Sequence, residues 1–592
     1  MSFCRLAGYL ASLLAASLAL AESAPLSTLA EQSGFVRTGR YDEVIRLCAE
    51  FAKTWPDSVR CVEFGRTPED RPMLALVAGA ADALTPEAAR AKRRPVLLVQ
   101  GGIHAGEIDG KDAGFLILRE LFQGRLAKGA LDRLTLVFVP VFNIDGHERF
   151  GAWNRPNQRG PEQMGWRTTA QNFNLNRDYM KADAVEMQAM LNLIGAWDPI
   201  VFADLHVTDG AQFEHDISIT MEPVHSGDAA LRKAGLALRT AVLERLSKRG
   251  SLPLAFYPSF VDYDNPASGF ADGVAPPRFS TGYMPLRNRF GILVETHSWK
   301  DYPTRVRATH DTIRALIELA MQEGARWRQL GAEADARAAR LAGKPFALAY
   351  KATDKARTID FRGYAYTRTP SAISGTLMTR YDENTPQVWK LPLRDDVQPS
   401  LVVDAPLGGY LVPAAWATRI SARLDLHGIE YRRLAQAWPG AETETFRATS
   451  KKFGDASFEG RQTLTLEGRW SAAVNDIPAG ALFVPIAQAK SRLVVALFEP
   501  QAPDSFVAWG DFNTAFEQKE YMEAYVAEDV ARAMLDNDEA LRAEFVQRLA
   551  EDPAFAASPD QRLEFFARRH ASWDERRDLY PVMRIDTVPG HR

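Results

Sequence analysis

The sequence predicts an α/β fold: a mixed, mostly parallel sheet with helices on both faces, followed by a mixed α+β accessory region. Three observations predict it. Four short runs, Pro95–Gly101, Leu134–Val141, Ile200–Leu205 and Phe290–Glu295, are apolar almost throughout, as strands covered on both faces are. Stretches of helical spacing lie between them, Asp112–Phe122, Ala184–Ala196 and Asp228–Arg249. After Gly343-Lys344-Pro345, a helix-breaking triplet, the texture changes to short strand-like pieces.

The elements follow in chain order. Met1 to Arg5 is a short, weakly positive start, Leu6 to Leu20 is apolar, and Ala19-Leu20-Ala21 fits a small-x-small cleavage site. Residues 1–21 are therefore expected to be a signal peptide; the run is short of the roughly 20 apolar residues that a spanning helix needs. Tyr41–Thr54 reads as a helix, and Val59–Phe64 and Met73–Ala78 as strands. Cys48 and Cys61 lie in the first two of these and are the only cysteines beyond the signal. In an oxidising compartment they can bridge; as buried free thiols they would pack like small hydrophobes. Thr309 to about Ala342 reads as a long helix that closes a first domain, residues 22–344.

In the second region, residues 345–592, Thr376–Arg380, Leu401–Val403, Thr463–Leu466, Leu482–Val484 and Arg492–Leu497 read as strands. Gly409–Leu434 reads as strand, helix, strand, and Lys519 to Arg568 as mostly helical. No chemistry-bearing motif stands out there. Trp389, Trp416, Trp438, Trp470 and Trp509 could form a ligand platform, but scattered tryptophans usually pack in cores, so an accessory role is expected.

The 592 residues carry a net charge of -4, with both signs interspersed. No basic stripe points to nucleic acid, and no later segment is apolar enough to span a membrane. An exported chain, periplasmic or secreted, is expected.

In a sheet of this kind, sites form at the carboxyl ends of the strands. Three strand ends here deliver polar groups. Gly101-Gly102-Ile103-His104-Ala105-Gly106-Glu107 ends a strand in a turn, and residues three apart on a turn fall on one side, so His104 and Glu107 can reach one cation. His206 ends Ile200–Leu205, and Glu295 ends another strand. Two imidazoles and a carboxylate make a zinc set with an open fourth position, the catalytic arrangement. Glu295 beside it could take a proton from water and return it to a leaving amine. Each feature alone also fits a solvated turn or strand end.

Together, and in order, these residues resemble the carboxypeptidase A-like zinc peptidases over about residues 35–330. Gly102-Ile103-His104-Ala105-Gly106-Glu107 resembles that family's metal-binding motif, Asn143-Ile144-Asp145-Gly146 its Asn-Pro-Asp-Gly segment, and Asn174-Leu175-Asn176-Arg177 the segment with its Asn-Arg pair. Leu205-His206 matches the third ligand and Val294-Glu295-Thr296 the catalytic glutamate. The resemblance implies one zinc held by His104, Glu107 and His206, with Glu295 as general base and acid. It implies that Asn176 and Arg177 bind the free C-terminal carboxylate of a peptide substrate, and that Arg167 steadies developing oxyanion charge. For Arg177 the competing reading is an ion pair with Asp178. Asn174 stands where the family often has an Asp supporting the first histidine. Tyr283 is the expected substrate-binding tyrosine, with Tyr257 and Tyr263 competing, and His297 is expected to support the site without binding metal. The implied activity is hydrolysis of C-terminal peptide bonds. A related amidase acting on cell-wall peptides or N-acyl amino acids, and a non-catalytic peptide-binding protein, are the alternatives.

Overall fold

The computed structural model describes residues 26–589, so the expected signal peptide at 1–21 lies outside the described residues. Eight strands form the central sheet: β1 (Val59–Arg66), β2 (Pro72–Ala78), β3 (Val96–Gly101), β4 (Thr135–Val139), β5 (Val201–Thr208), β6 (Ile217–Glu222), β7 (Pro253–Leu254) and, after the short β8 (Phe270–Ala271) of another sheet, β9 (Phe290–His297). Their spatial order is β1-β2-β4-β3-β5-β9-β6-β7. The four central strands, β4-β3-β5-β9, run parallel; β1, β2 and β6 join antiparallel, giving the mixed sheet that the apolar runs predict.

Helices cover both faces, as alternation along β5 shows. Leu205 packs beneath Gly110 of a helix at Asp109–Phe122, whereas its neighbour Asp204 points the other way and accepts a hydrogen bond from Ser280, which opens a helix at Ser280–Leu286. The long helix runs Tyr302–Ala338 and starts about two turns ahead of its sequence-read start. The reason is its cap: the Asp301 side chain accepts from Thr304 N–H, and Pro303 sits in the first turn. A disulfide joins Cys48 in the Tyr41–Thr54 helix to Cys61 in β1.

The second half begins with β10 (Pro345–Ala352), which pairs with β13 (Val397–Asp404). Between them lies a long hairpin, β11 (Arg357–Pro370) and β12 (Leu377–Arg394), whose end also pairs with β8. A six-stranded sheet follows, built on β14 (Gly409–Val412), β15 (Arg432–Arg433), β16 (Trp438–Phe453), β17 (Leu464–Ile477), β18 (Leu482–Pro485) and β19 (Met583–Ile585). Between β14 and β15 runs a helix at Ala414–His427, the strand–helix–strand expected for Gly409–Leu434.

Arg492–Leu497 is a correction: Ser491–Phe498 is a helix, not a strand. Leu493 to Phe498 are all buried, so the run is apolar on every side and carries no period by which to tell helix from strand. The halves share one core. Tyr410, Val412, Leu482, Val484 and Leu497 belong to the same buried cluster as Leu97, Phe202 and Ile292.

Candidate active site

The tip of β3 sets the first two donors. Gly102 adopts φ +65°, a left-handed turn that side chains resist, and Glu107 N–H then bonds His104 O at 2.9 Å, closing the turn. His206 comes from the end of β5, and Glu295 lies beside it in register on β9. The result is a tight constellation. His104 Nδ1 lies 2.9 Å from Glu107 Oε1 and His206 Nδ1 3.0 Å from Glu107 Oε2. Donor atoms of the three residues all lie within 4.8 Å of one another.

The far side of each ring is braced. His104 Nε2 donates to Asn174 Oδ1 at 3.2 Å, so the Asn in this position does take the supporting hydrogen bond. His206 Nε2 lies 3.2 Å from Asp204 Oδ1 but too obliquely for a hydrogen bond, an electrostatic contact. Nδ1 is the atom that each ring turns toward Glu107, and so toward a shared cation. Glu107 is held in place by Val207 N–H at 2.9 Å and Arg155 Nη1 at 2.6 Å.

The charges fit a cation. Burial alone would push the Glu107 carboxyl up, but Arg155 and His104 outweigh it and hold it well below the usual range. Burial lowers His104 to about 4, leaving a neutral ring able to ligate. Burial also disfavours charge on His206, but Asp204, Glu107 and Glu295 outweigh it and raise its pKa, so the surroundings of this ring favour positive charge. A buried donor set of two imidazoles and a carboxylate, with a surplus of carboxylates around it, suits zinc. Glu295 is buried, and among the described residues its Oε2 has no hydrogen-bond partner. Burial pushes its carboxyl up to about 8, opposed by His206 and helped by Glu107.

These groups open into a cavity of about 490 Å³ that also receives Arg155, Arg167, Asn176, Arg177 and Tyr257. Arg167 Nη1 lies 3.5 Å from Glu107, and its side chain is 40% exposed, free to turn toward a ligand. Asn143, from the Asn-Ile-Asp-Gly segment, donates to Arg167 O at 3.0 Å and so anchors the loop that carries this arginine. Arg177 lies over the Phe279 ring at 4.5 Å. Among the described residues no carboxylate lies within ion-pairing distance of it; Asp178 instead pairs with Lys181. The competing reading of Arg177 is thus set aside.

Tyr283 is a correction. It is fully buried, its hydroxyl lies 2.9 Å from His427 Nδ1, and it does not line the cavity. It sits in the Ser280–Leu286 helix, which turns it inward to pack under the Ala414–His427 helix. Tyr257 is the tyrosine at the cavity, with its hydroxyl oxygen accepting from Thr208 Oγ1–H at 3.1 Å, whereas Tyr263 is 97% exposed. His297 is stacked face to face on Phe213 at 3.9 Å, outside the cavity lining. Sequence reasoning missed Arg155 and Asp204. Asp204 could have been found, since it is a charged residue two positions before His206 in an otherwise apolar strand; Arg155 sits in a loop with no local signal.

A braced three-donor centre at strand ends, with a carboxylate beside it in a cationic cleft, defines a mononuclear metallohydrolase type of site. In comparison with known proteins, residues 44–224 match the model of the zinc carboxypeptidase family. Carboxypeptidase 2 of Trichophyton tonsurans is 31% identical over 101 residues, 17% of this chain and 18% of that protein, so the match spans under a fifth of that relative's length. Carboxypeptidase 2 of Trichophyton rubrum is 21% identical over 430 residues, 70% of this chain and 73% of that protein. Among solved structures, carboxypeptidase A from Helicoverpa armigera aligns at 16% identity and TM-score 0.36, over 56% of this chain and 81% of that one. A metallo-carboxypeptidase from Burkholderia cenocepacia aligns at 19% and 0.33, over 46% and 67%.

Proposed function

We propose that the chain is an exported, zinc-dependent metallocarboxypeptidase that removes C-terminal residues from peptides. The observation that carries this is the convergence of His104 Nδ1, His206 Nδ1 and both Glu107 oxygens in a cleft that also holds Glu295, whose Oε2 has no hydrogen-bond partner among the described residues, and Arg177, which has no carboxylate within ion-pairing distance among them.

His104, Glu107 and His206 would hold the ion. Zinc so bound polarises a carbonyl and makes water acidic. The remaining work falls to side chains. Asn176 and Arg177 take the substrate's terminal carboxylate, the planar fork of Arg177 meeting two oxygens. That places the last peptide bond near Glu295. Glu295 accepts a proton from the attacking water and passes it to the departing amine nitrogen. Arg167 turns toward the carbonyl oxygen as negative charge builds on it. Tyr257, which lines the cleft, contacts the bound peptide. The Cys48–Cys61 disulfide supports an oxidising compartment, and among the described residues no helix is long and apolar enough to cross a membrane.

The test is a peptide panel with free and amidated C-termini, run before and after chelation. Cleavage should require the free acid, stop on chelation and return with zinc. Equal cleavage of the amidated peptides would favour the amidase reading, and no zinc-dependent cleavage of any peptide would oppose both.

A further inference from the structure

The second half of the chain touches the 174–177 turn through the tip of one hairpin. Between β16 and β17, Phe458 and Arg461 pair with each other, and Glu459-Gly460 form the two-residue turn. Both turn residues have positive φ, +49° and +77°. Such a turn favours Asn-Gly, Asp-Gly or Gly-Gly; a glutamate at its first position is strained. Strain kept at an exposed tip calls for a compensating contact, and there is one. Glu459 Oε2 accepts a hydrogen bond from Asn174 N–H at 3.2 Å.

Asn174 is the hub of the proposed substrate and metal groups. Its side-chain oxygen accepts from His104 Nε2 at 3.2 Å and from Asn176 N–H at 3.1 Å, and its carbonyl accepts from Arg177 N–H at 3.0 Å. The tip is seated firmly enough to transmit position. Arg461 pairs with Asp183 and Asp511, Phe458 stacks on Trp509 at 5.8 Å, and Arg278 lies over both of those rings. The charge also suits its place: burial and then Arg167 and Arg278 lower the pKa of Arg177, and the Glu459 carboxylate opposes them.

We propose that Glu459 is a positioning residue of the active site: by holding Asn174 N–H it fixes the 174–177 turn that presents Asn176 and Arg177 to the substrate carboxylate and braces the His104 ring. The inference rests on the carboxypeptidase reading and gives the accessory half a share in recognition.

Two variants separate it from a merely structural role. Glu459→Asn suits the turn better but is too short to reach Asn174; Glu459→Gln keeps the reach and an acceptor oxygen. For the full-length zinc-loaded protein, Glu459→Asn should melt at the same temperature as wild type or higher. It should still raise KM for free-acid peptides about tenfold, with kcat within about threefold, and narrow the preference for free acid over amide. Glu459→Gln should keep KM within about threefold. A KM for Glu459→Asn within twofold of wild type, or a Gln variant as impaired as the Asn variant, would overturn the proposal. If wild type cleaves no free-acid peptide with zinc present, the carboxypeptidase reading fails on its own. Zinc affinity by chelator competition then decides: a loss of about threefold or more in Glu459→Asn supports the positioning role, since outer-shell partners tune metal affinity, and an unchanged affinity contradicts it.

Discussion

Glu295 and Glu186 are both buried carboxylic acids, and the contrast between them separates chemistry from cost. Glu295 faces the metal donors across a cavity, so its orphaned oxygen has work to do. Glu295→Gln should keep zinc and lower kcat by about a thousandfold or more, read by steady-state kinetics alongside metal content. Glu186 lies in the first turn of the Val185–Trp197 helix, with neither oxygen hydrogen-bonded among the described residues, and it is not part of the cleft lining. Burial raises it from 4.5 to about 7, with Asp145 and Asp178 adding. The fold therefore prefers its protonated form: its contribution to stability is full below about pH 4.5 and is lost as pH rises to about 7. Glu186→Gln should stabilise the protein at pH 8 by roughly 1–2 kcal/mol and change little at pH 4.5, measured by denaturant unfolding at both values. At this scale the sequence was legible where a polar residue ended an apolar run, as at His104, His206 and Glu295. It was not legible for Tyr283 against Tyr257. Both are tyrosines upstream of Glu295, and only the packing of the Ala414–His427 helix decides which one faces inward.

At the scale of elements, the β11–β12 hairpin holds the loop that carries Tyr257. Phe361, Trp389, Leu391 and Leu393 of the hairpin form one buried cluster with Phe256 and Phe270, which bracket that loop. Trp389 stacks on Phe361 at 5.6 Å and donates from its ring nitrogen to Tyr364 O at 2.9 Å. Trp389→Ala should loosen the Tyr257 loop, reducing kcat/KM several-fold and opening residues 257–270 to limited proteolysis, at a stability cost of about 3 kcal/mol. None of this was visible in the sequence, because β8 is two residues long and its partner lies more than a hundred residues on. The central strands were visible, since burial on both faces writes itself as unbroken apolar runs. The same signal misled at Ser491–Phe498, where a helix buried all round looks like a buried strand.

Across the whole molecule, the two halves do not separate at the texture change near residue 344. Their apolar residues form one cluster, and Asp183 of the first half accepts from both Arg423 and Arg461 of the second. A chain ending at residue 344 should expose the Val185–Trp197 and Ser280–Leu286 helices, against which the second half packs, and should aggregate or melt well below the full chain, checked by size exclusion and thermal unfolding.

The central claim is one ion held by His104, Glu107 and His206 at the ends of two strands, facing Glu295 at the end of a third. Native mass spectrometry of zinc-loaded protein tests it directly. The prediction is one zinc on the wild-type chain and almost none on His206→Ala at the same zinc concentration, with the folded charge-state distribution kept. A wild-type chain that binds no zinc, or a His206→Ala chain that keeps its full complement, would contradict it.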